Sequence, residues 1–345
     1  MKKILLFQTG NVGDVVITQP LGALLKQLLP GCHITFIGRE YVAEAVHASP
    51  QFDAFINLPT LLKEQQSDAD IILFVNDELA VPVAHWAWRA GIPQRICNHT
   101  HAMTAPYCNN VLQFKHERTV THHALYHLQL LEGLALPHEY PLEEIKPLVG
   151  FQWSSPPPIP SLDPNRFNLI IHPGTHGHTL EWPGEYFREL ADRLPRSSFH
   201  IYLTGSPSED IRFGETFAGC ADITYLMGQL SLKQFLYFIS QVDGLVANAT
   251  GPMHIAGASG VQTLGLFPPR KGLTPTVWAP VGMHTHTLMY PRWLPCIGCK
   301  NKPKGCPCML KISVDSVESQ IKSWLAPEAS YRVRRANKVI SLPDV

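Results

Sequence analysis

The stretch Leu245–Gly260, LVANATGPMHIAGASG, reads as the end of a buried strand, a tight turn and the start of a helix. Leu245 to Ala247 are apolar, Asn248 to Gly251 are turn formers, and Pro252 suits a first helical position, where a missing N–H costs nothing. Small and apolar residues continue as a helix able to lie close on a sheet. Backbone N–H groups at such a helix start, aimed out of a strand's carboxyl end, form a site for an anion such as a diphosphate. Thr250 can cap the helix or donate to a ligand, Gly251 lets a ligand approach the backbone, and His254 falls in the first turn. The same residues also suit an ordinary strand–turn–helix with a capping threonine. Asn248-Ala249-Thr250 is a glycosylation sequon, which has meaning only in a secreted protein.

At 345 residues the chain has room for two domains, each with its own core. Hydrophobic residues make up 45% and charged residues 16%, a balance that excludes a disordered chain. The formal net charge of zero gives no sign of nucleic acid as a partner. MKKILLFQTG has too short an apolar run for a signal peptide, and no stretch approaches the length of a membrane span. The expected location is cytoplasmic, with any membrane contact peripheral, at the inner-membrane surface. The eight cysteines are then expected to be reduced unless they hold metal. The seventeen histidines are scattered and read mainly as surface or loop residues.

In the first half, Lys2 to Phe7 fits a buried parallel strand, followed by GNVGD at Gly10 to Asp14. A helix is expected from Val15 to Leu29, with Pro20 near its start. Strands at His33 to Ile37, Phe52 to Asn57, Asp70 to Val75 and Gly91 to Ile96 alternate with helices at Tyr41 to His47 and Leu79 to Ala90. That alternation argues for a doubly wound α/β domain. Asp14 lies just beyond the first strand's carboxyl end, where open α/β sheets bind ligands, and its carboxylate could take a proton from a substrate hydroxyl. A helix N-cap is the competing account of Asp14. His116 to Leu136 reads as one helix, with His123 and His127 on a shared face. Their spacing is metal-compatible, but no glutamate stands in the zinc-protease position, so a polar or acceptor-facing helix is expected. The stretch 151–164, with SSPPPIPSLDP, forms a linker.

Beyond it the alternation resumes. The strand NLII, Asn168 to Ile171, leads into HPGTHGHTLEWP, a loop suited to phosphate oxygens, and then a helix from Gly184 to Leu194. The strand Phe199 to Leu203 leads into TGSPSED, where Glu209 could take a ribose hydroxyl or simply start a helix. A loop at Leu226 to Gly228, a helix from Leu232 to Gln241 and a strand from Thr263 to Phe267 flank the opening stretch.

HPG…EWP, LTGSPSE, LMGQLSL, ANATGPMHIAGASG and GLFPP…WAPVG, in this order, resemble glycosyltransferase family 9, the ADP-heptose:lipopolysaccharide heptosyltransferases. Gly13-Asp14, the helix ending in LLP and AGIPQRI at Ala90 to Ile96 are similar too, so the resemblance spans roughly residues 1–320. It implies an α/β protein of GT-B architecture, two Rossmann-like doubly wound domains facing a central cleft. An acceptor-binding domain would occupy 1–150, the linker 151–164, a nucleotide-sugar donor-binding domain 165–313, and a C-terminal helix and basic tail 314–345. The implied reaction is inverting and metal-independent. A sugar, by default heptose from ADP-heptose, passes from a nucleotide-diphosphate sugar to a lipid-linked or oligosaccharide acceptor of the lipopolysaccharide core or a related surface glycan. The general base maps onto Asp14, the diphosphate loop onto Thr175 and His176, and the ribose-binding acid onto Glu209. The loop beside the base maps onto Met227 and Gly228, and the donor motif onto Thr250, Gly251 and His254.

Two positions depart from the family pattern. The donor motif's aspartate is Ala249, and the lysine two residues before Trp-Pro is Leu180. The donor sugar and one phosphate contact are thereby left open; His176, His178 or Arg270 could supply the charge instead. These departures motivate a second reading, a non-catalytic nucleotide-sugar or glycan sensor retaining the fold, and a third, a nucleotide-sugar epimerase. CIGCKNKPKGCPC sets Cys296, Cys299, Cys306 and Cys308 within thirteen residues, a spacing for structural zinc or iron. A reduced cysteine-rich loop and disulfides are the alternatives. The tail YRVRRANK, Tyr331 to Lys338, suits contact with anionic lipid or the first domain, or plain solvation.

Overall fold

The computed structural model describes residues 1–115, 117–177, 179–290 and 306–325. Within the first part, β1 (Lys3–Phe7), β2 (His33–Gly38), β3 (Ala54–Asn57), β4 (Ile71–Phe74), β5 (Gln94–Asn98) and β6 (Asn110–Leu112) form one sheet. Its spatial order is β3-β2-β1-β4-β5-β6. The second sheet contains β7 (Phe167–His172), β8 (Phe199–Leu203), β9 (Ile223–Tyr225), β10 (Gly244–Asn248), β11 (Gln262–Phe267) and β12 (Thr285–Met289). Its order, β12-β11-β10-β7-β8-β9, is that of the first sheet repeated. Every pairing is parallel. Helical crossovers cover both faces of such sheets, and the central strands β4, β7, β10 and β11 are accordingly buried along their whole length.

The first sheet is flanked by α1 (Val12–Leu28), α2 (Ala43–His47), α3 (Leu58–Leu61), α4 (Ala80–Arg89), α5 (His123–Leu128) and α6 (Leu142–Ile145). The second carries α7 (Gly184–Arg193), α8 (Pro207–Phe217), α9 (Leu232–Gln241), α10 (Gly251–Ala258), α11 (Pro275–Trp278) and α12 (Val314–Ser323). These are the two doubly wound units expected from the alternation of strands and helices. No helix among the described residues is long and apolar enough to cross a membrane.

Three expectations change in detail. Helix α1 begins at Val12 rather than Val15, because the Asp14 carboxylate reaches back to accept the Asn11 N–H at 2.8 Å and closes the first turn. Pro20 therefore lies in mid-helix, buried. The single helix expected over His116 to Leu136 starts only at His123, where the His122 imidazole accepts the Ala124 N–H at 3.2 Å, and it tightens into a 3-10 turn over Gln129–Leu134. The stretch 151–164 has no helix or strand, yet it is not slack. Phe151 is buried, the Gln152 N–H donates to Ala48 O at 2.7 Å, Trp153 packs edge-on against Tyr237, and the Gln234 amide donates to Pro158 O at 3.1 Å. The proline-rich segment is thus pinned to both sheets' helices.

One apolar cluster runs through both halves. Leu21 and Leu24 of α1 and Val46 of α2 belong to the same core as Phe238 of α9 and Ile255 of α10. Helix α1 lies along α10, and α2 meets α9. Separate cores fill the outer faces, around Trp182 and Phe187 in the second unit and around Phe7 and Phe74 in the first.

Candidate active site

In each sheet the strand order reverses between its first and fourth strands, β1 and β4 or β7 and β10. Loops leaving such a pair diverge and open a crevice at the carboxyl ends. Gly10 to Asp14 follow β1, His172 to His176 continue from β7, and Ala249 and Thr250 follow β10. Because α1 lies on α10, the two crevices meet. A Cβ added at Gly13 would stand 3.0 Å from His254 Cδ2 and 3.6 Å from Gly251 Cα, so these helix starts are close enough that a larger residue at 13 would press on the His254 ring.

Asp14 is half-buried on the first side of this junction. Burial pushes its pKa up, opposed by the bond from the Asn11 N–H and by the nearby Arg118 charge. The side chain does serve the helix start, as the competing account expected, but from inside the first turn rather than as the cap. A carboxylate has about four acceptor positions, so this bond leaves room for a substrate hydroxyl. Tyr41 Oη donates to Asn11 Oδ1 and lies 3.2 Å from Gly10 O, fixing the loop from β2's side. Nothing in the sequence marked Tyr41 for this.

On the second side, Thr250 is the N-cap of α10 and makes no capping bond with its side chain. Its hydroxyl is not consumed by the helix. His254 is 4% exposed, and its Nδ1 is buried without a hydrogen-bond partner. Burial, with His122 nearby, holds its pKa down to about 3, so the ring is neutral. A buried nitrogen left unpaired costs roughly 1–3 kcal/mol, which makes it a candidate ligand contact. Ala249 packs partly buried against the shared core. Asn248 was read in the sequence as a turn former and as part of a sequon. It is fully buried, its Oδ1 accepting the Trp182 N–H and its Nδ2 donating to Pro173 O, both at 2.8 Å. It therefore ties the β7 and β10 loops together and is closed to glycosylation as folded. A polar residue ending an apolar strand was the available signal.

The loop after β7 is more internally engaged than expected. The buried Thr175 hydroxyl donates to Glu181 Oε1 at 2.8 Å and accepts the Gly177 N–H at 3.2 Å, while Glu181 also pairs with Arg212. Glu209, 1% exposed, accepts the His176 N–H at 3.0 Å on Oε1 and the Ser206 N–H at 2.8 Å on Oε2. Burial pushes the Glu209 pKa up, but His172 and these backbone donors outweigh it and leave it low. Glu209 thus joins the loop after β7 to the capping box of α8, and a ribose hydroxyl would have to share it. His172, also missed in the sequence, is held to about 4 by burial and sits 3.0 Å from Thr204 Oγ1. His176 has a left-handed φ of 50° and a side chain 53% exposed. Met227 is buried and Gly228 donates its N–H to Gly205 O at 2.8 Å, so both pack on the start of α8. Leu180 packs against the second unit's core, Arg270 is exposed, and His178 lies outside the described residues.

The expectation of surface histidines fails for six of them. His101, His122, His123, His127, His172 and His254 are all buried, and burial holds the pKa of each down, which favours the neutral ring. His123 packs tilted against Trp278 with ring centroids 3.9 Å apart, and His127 Nδ1 lies 3.5 Å from Thr18 Oγ1. Among the described residues no group of three or more His, Cys, Asp or Glu is placed to hold a metal. Cys306 and Cys308 are buried beside Met309; Cys296, Cys299 and the tail from Tyr331 to Lys338 lie outside the described residues. A cavity of about 660 Å³, lined by Met1, His33 and Trp86 among others, opens at the amino ends of β1 and β2, away from this junction.

A family model, glycosyltransferase family 9 (heptosyltransferase), matches residues 49–305. The chain is similar to lipopolysaccharide heptosyltransferase 1 of Pseudomonas aeruginosa, at 26% identity over 285 residues that cover 77% of this chain and 79% of that one. Among solved structures it is similar to E. coli ADP-heptose lps heptosyltransferase II, with a TM-score of 0.74 at 19% identity, covering 95% of this chain and all of that one. It is also similar to E. coli heptosyltransferase WaaC with ADP, with a TM-score of 0.70 at 16% identity and coverage of 93% and 99%. At these identities the structural likeness speaks to the fold, two Rossmann-like domains in the GT-B arrangement.

Proposed function

The chain belongs to glycosyltransferase family 9, and on that footing we propose that it transfers a heptose from ADP-heptose to a hydroxyl of a lipopolysaccharide-core or related surface-glycan acceptor. The observation that carries this reading is the close approach of Gly13, the residue before Asp14, to Gly251 and His254 at the start of α10, whose Thr250 hydroxyl makes no capping bond. The acceptor would bind on the 1–150 side and the donor on the 165–313 side. Asp14 would take the acceptor's hydroxyl proton as the oxygen attacks the anomeric carbon. The bond from that carbon to the diphosphate breaks, and the charge gathered on ADP falls at the α10 start, beside the Thr250 hydroxyl and the unpartnered His254 nitrogen. In this scheme the acceptor oxygen would attack from the face opposite the departing diphosphate, which inverts the anomeric centre, and no step calls for a metal.

Single-turnover release of ADP from ADP-heptose with lipid-linked core acceptors tests the reading, with the product's anomeric configuration read by NMR. Donor binding without release under every acceptor would favour the sensor, and sugar conversion without acceptor would establish the epimerase. A lipid-linked acceptor would bring the protein to the inner-membrane surface, which vesicle sedimentation checks. The four thiols of Cys296, Cys299, Cys306 and Cys308 would supply a structural zinc or iron site, two of them from the buried pair at Cys306 and Cys308. Elemental analysis of the purified chain, set against Cys306→Ser, decides it; a metal-free native protein would remove the proposal.

A further inference from the structure

The WAPVG motif, Trp278 to Gly282, is absorbed by neither the base nor the donor contacts. It lies between the two domains. The imidazole of His122, on the first domain, approaches Ala279 O at 2.9 Å through Nε2 and accepts the Ala124 N–H through Nδ1. A carbonyl only accepts and a backbone N–H only donates, so His122 must be the neutral tautomer with its proton on Nε2. One ring thereby caps α5 and bonds across to the other domain. Beside it, His123 packs tilted against Trp278, whose indole N–H is fixed on Gly272 O at 3.0 Å and whose ring meets His254 in a T-shaped arrangement at a centroid distance of 6.1 Å.

The bond at Ala279 is transmitted because the following residues press on the donor helix. A Cβ at Gly257 of α10 would lie 2.9 Å from Val281 O and 3.0 Å from Pro280 Cβ, so this strap and α10 move together. One turn towards its start, α10 carries His254 against Gly13. A continuous path of contacts therefore joins His122 to the place where Asp14 faces the donor helix.

We propose that His122 is a positioning residue, an interdomain clasp whose Nε2–H on Ala279 sets the register of the donor helix α10 against Asp14. The proposal rests on the reading of α10 as the donor helix. Two variants separate the clasp from the cap, since an asparagine oxygen falls near the place of Nδ1 and a glutamine nitrogen near that of Nε2. His122→Asn keeps the α5 cap and loses the bond to Ala279; His122→Gln keeps the bond and loses the cap. Small-angle scattering of the full chain and ADP affinity by calorimetry are the readouts. We expect His122→Asn to expand the chain and weaken ADP binding about fivefold, the size of one hydrogen bond's net contribution. His122→Gln should stay close to the wild type in both. Equal loss in the two variants, or an unchanged His122→Asn, overturns the clasp. Neither readout needs an acceptor, so a chain that closes in this manner but transfers no heptose would leave the clasp standing and remove only the proposed reaction. If the wild type binds no ADP, the donor reading of α10 falls, and scattering alone decides whether the clasp exists.

Discussion

At the start of α1, the Asp14 carboxylate accepts the Asn11 N–H; at the start of α10, across Gly13, Thr250 makes no capping bond and no acidic residue lies in the first turn. Both helix ends carry the same partial positive charge. One turns a carboxylate back onto its N-cap N–H, and that carboxylate is the proposed base. The other has no side-chain cap and a neutral histidine whose Nδ1 is unpaired, the features of the proposed anion site. The pair teaches that a helix start becomes a binding site by what it lacks as much as by what it carries.

The sharpest way to break this contrast is Asp14→Asn, which keeps the shape of the α1 turn and removes the base. Turnover should fall by about 10²–10⁴ while ADP affinity holds, checked by single-turnover release beside calorimetry. Normal turnover would end the role of Asp14. At the other helix, His254→Ala should weaken ADP binding by about tenfold or more, the scale of a hydrogen bond to a charged group. An unchanged dissociation constant would dismiss the orphan nitrogen as a ligand contact.

Acid sharpens the same contrast through stability. His123 and His254, held to about 3, and His127, held well below its usual value, are neutral when folded but bind protons in the unfolded chain below about pH 6.5. Their contribution is complete above that pH and is lost as pH falls towards 3, on the order of 1 kcal/mol per pH unit for each histidine. Asp14, raised by burial, has the opposite sign, since the folded chain holds its proton more tightly. Urea melts between pH 7 and 4 should therefore show a steeper loss for Asp14→Asn than for wild type, and a shallower one for His254→Phe. Parallel curves would refute the buried-histidine account. Smallest of all, Thr250→Val should weaken ADP binding about threefold to fivefold with no loss of melting temperature, because the hydroxyl holds no cap. A drop in melting temperature would show that it does.

Much of the fold was legible because the strands are short apolar runs separated by Gly- and Pro-marked turns, and both sheets repeat one order. Asp14, Thr250, Gly251 and His254 were proposed as site residues because each lies in the turn or first helical turn after a strand's carboxyl end, and the structure brings those two helix starts together at Gly13. What escaped depends on contacts between distant segments. Asn248 spans from β10 to Pro173 and Trp182, a bond no local pattern encodes. Thr175 and Glu209 were read from their loops and from the family resemblance, yet their polar atoms are largely engaged by Glu181, Ser206 and His176. The histidines misled because composition cannot show that α5 packs into the cleft, and the α5 boundary moved because its cap is itself a histidine.

The apolar seam between α1 and α10 has a mechanical meaning. Hydrophobic contact has no preferred direction, so the packing of α1 on α10 does not by itself fix the angle between them. That angle is left to directional bonds at the margin of the seam, of which the approach of His122 Nε2 to Ala279 O at 2.9 Å is one.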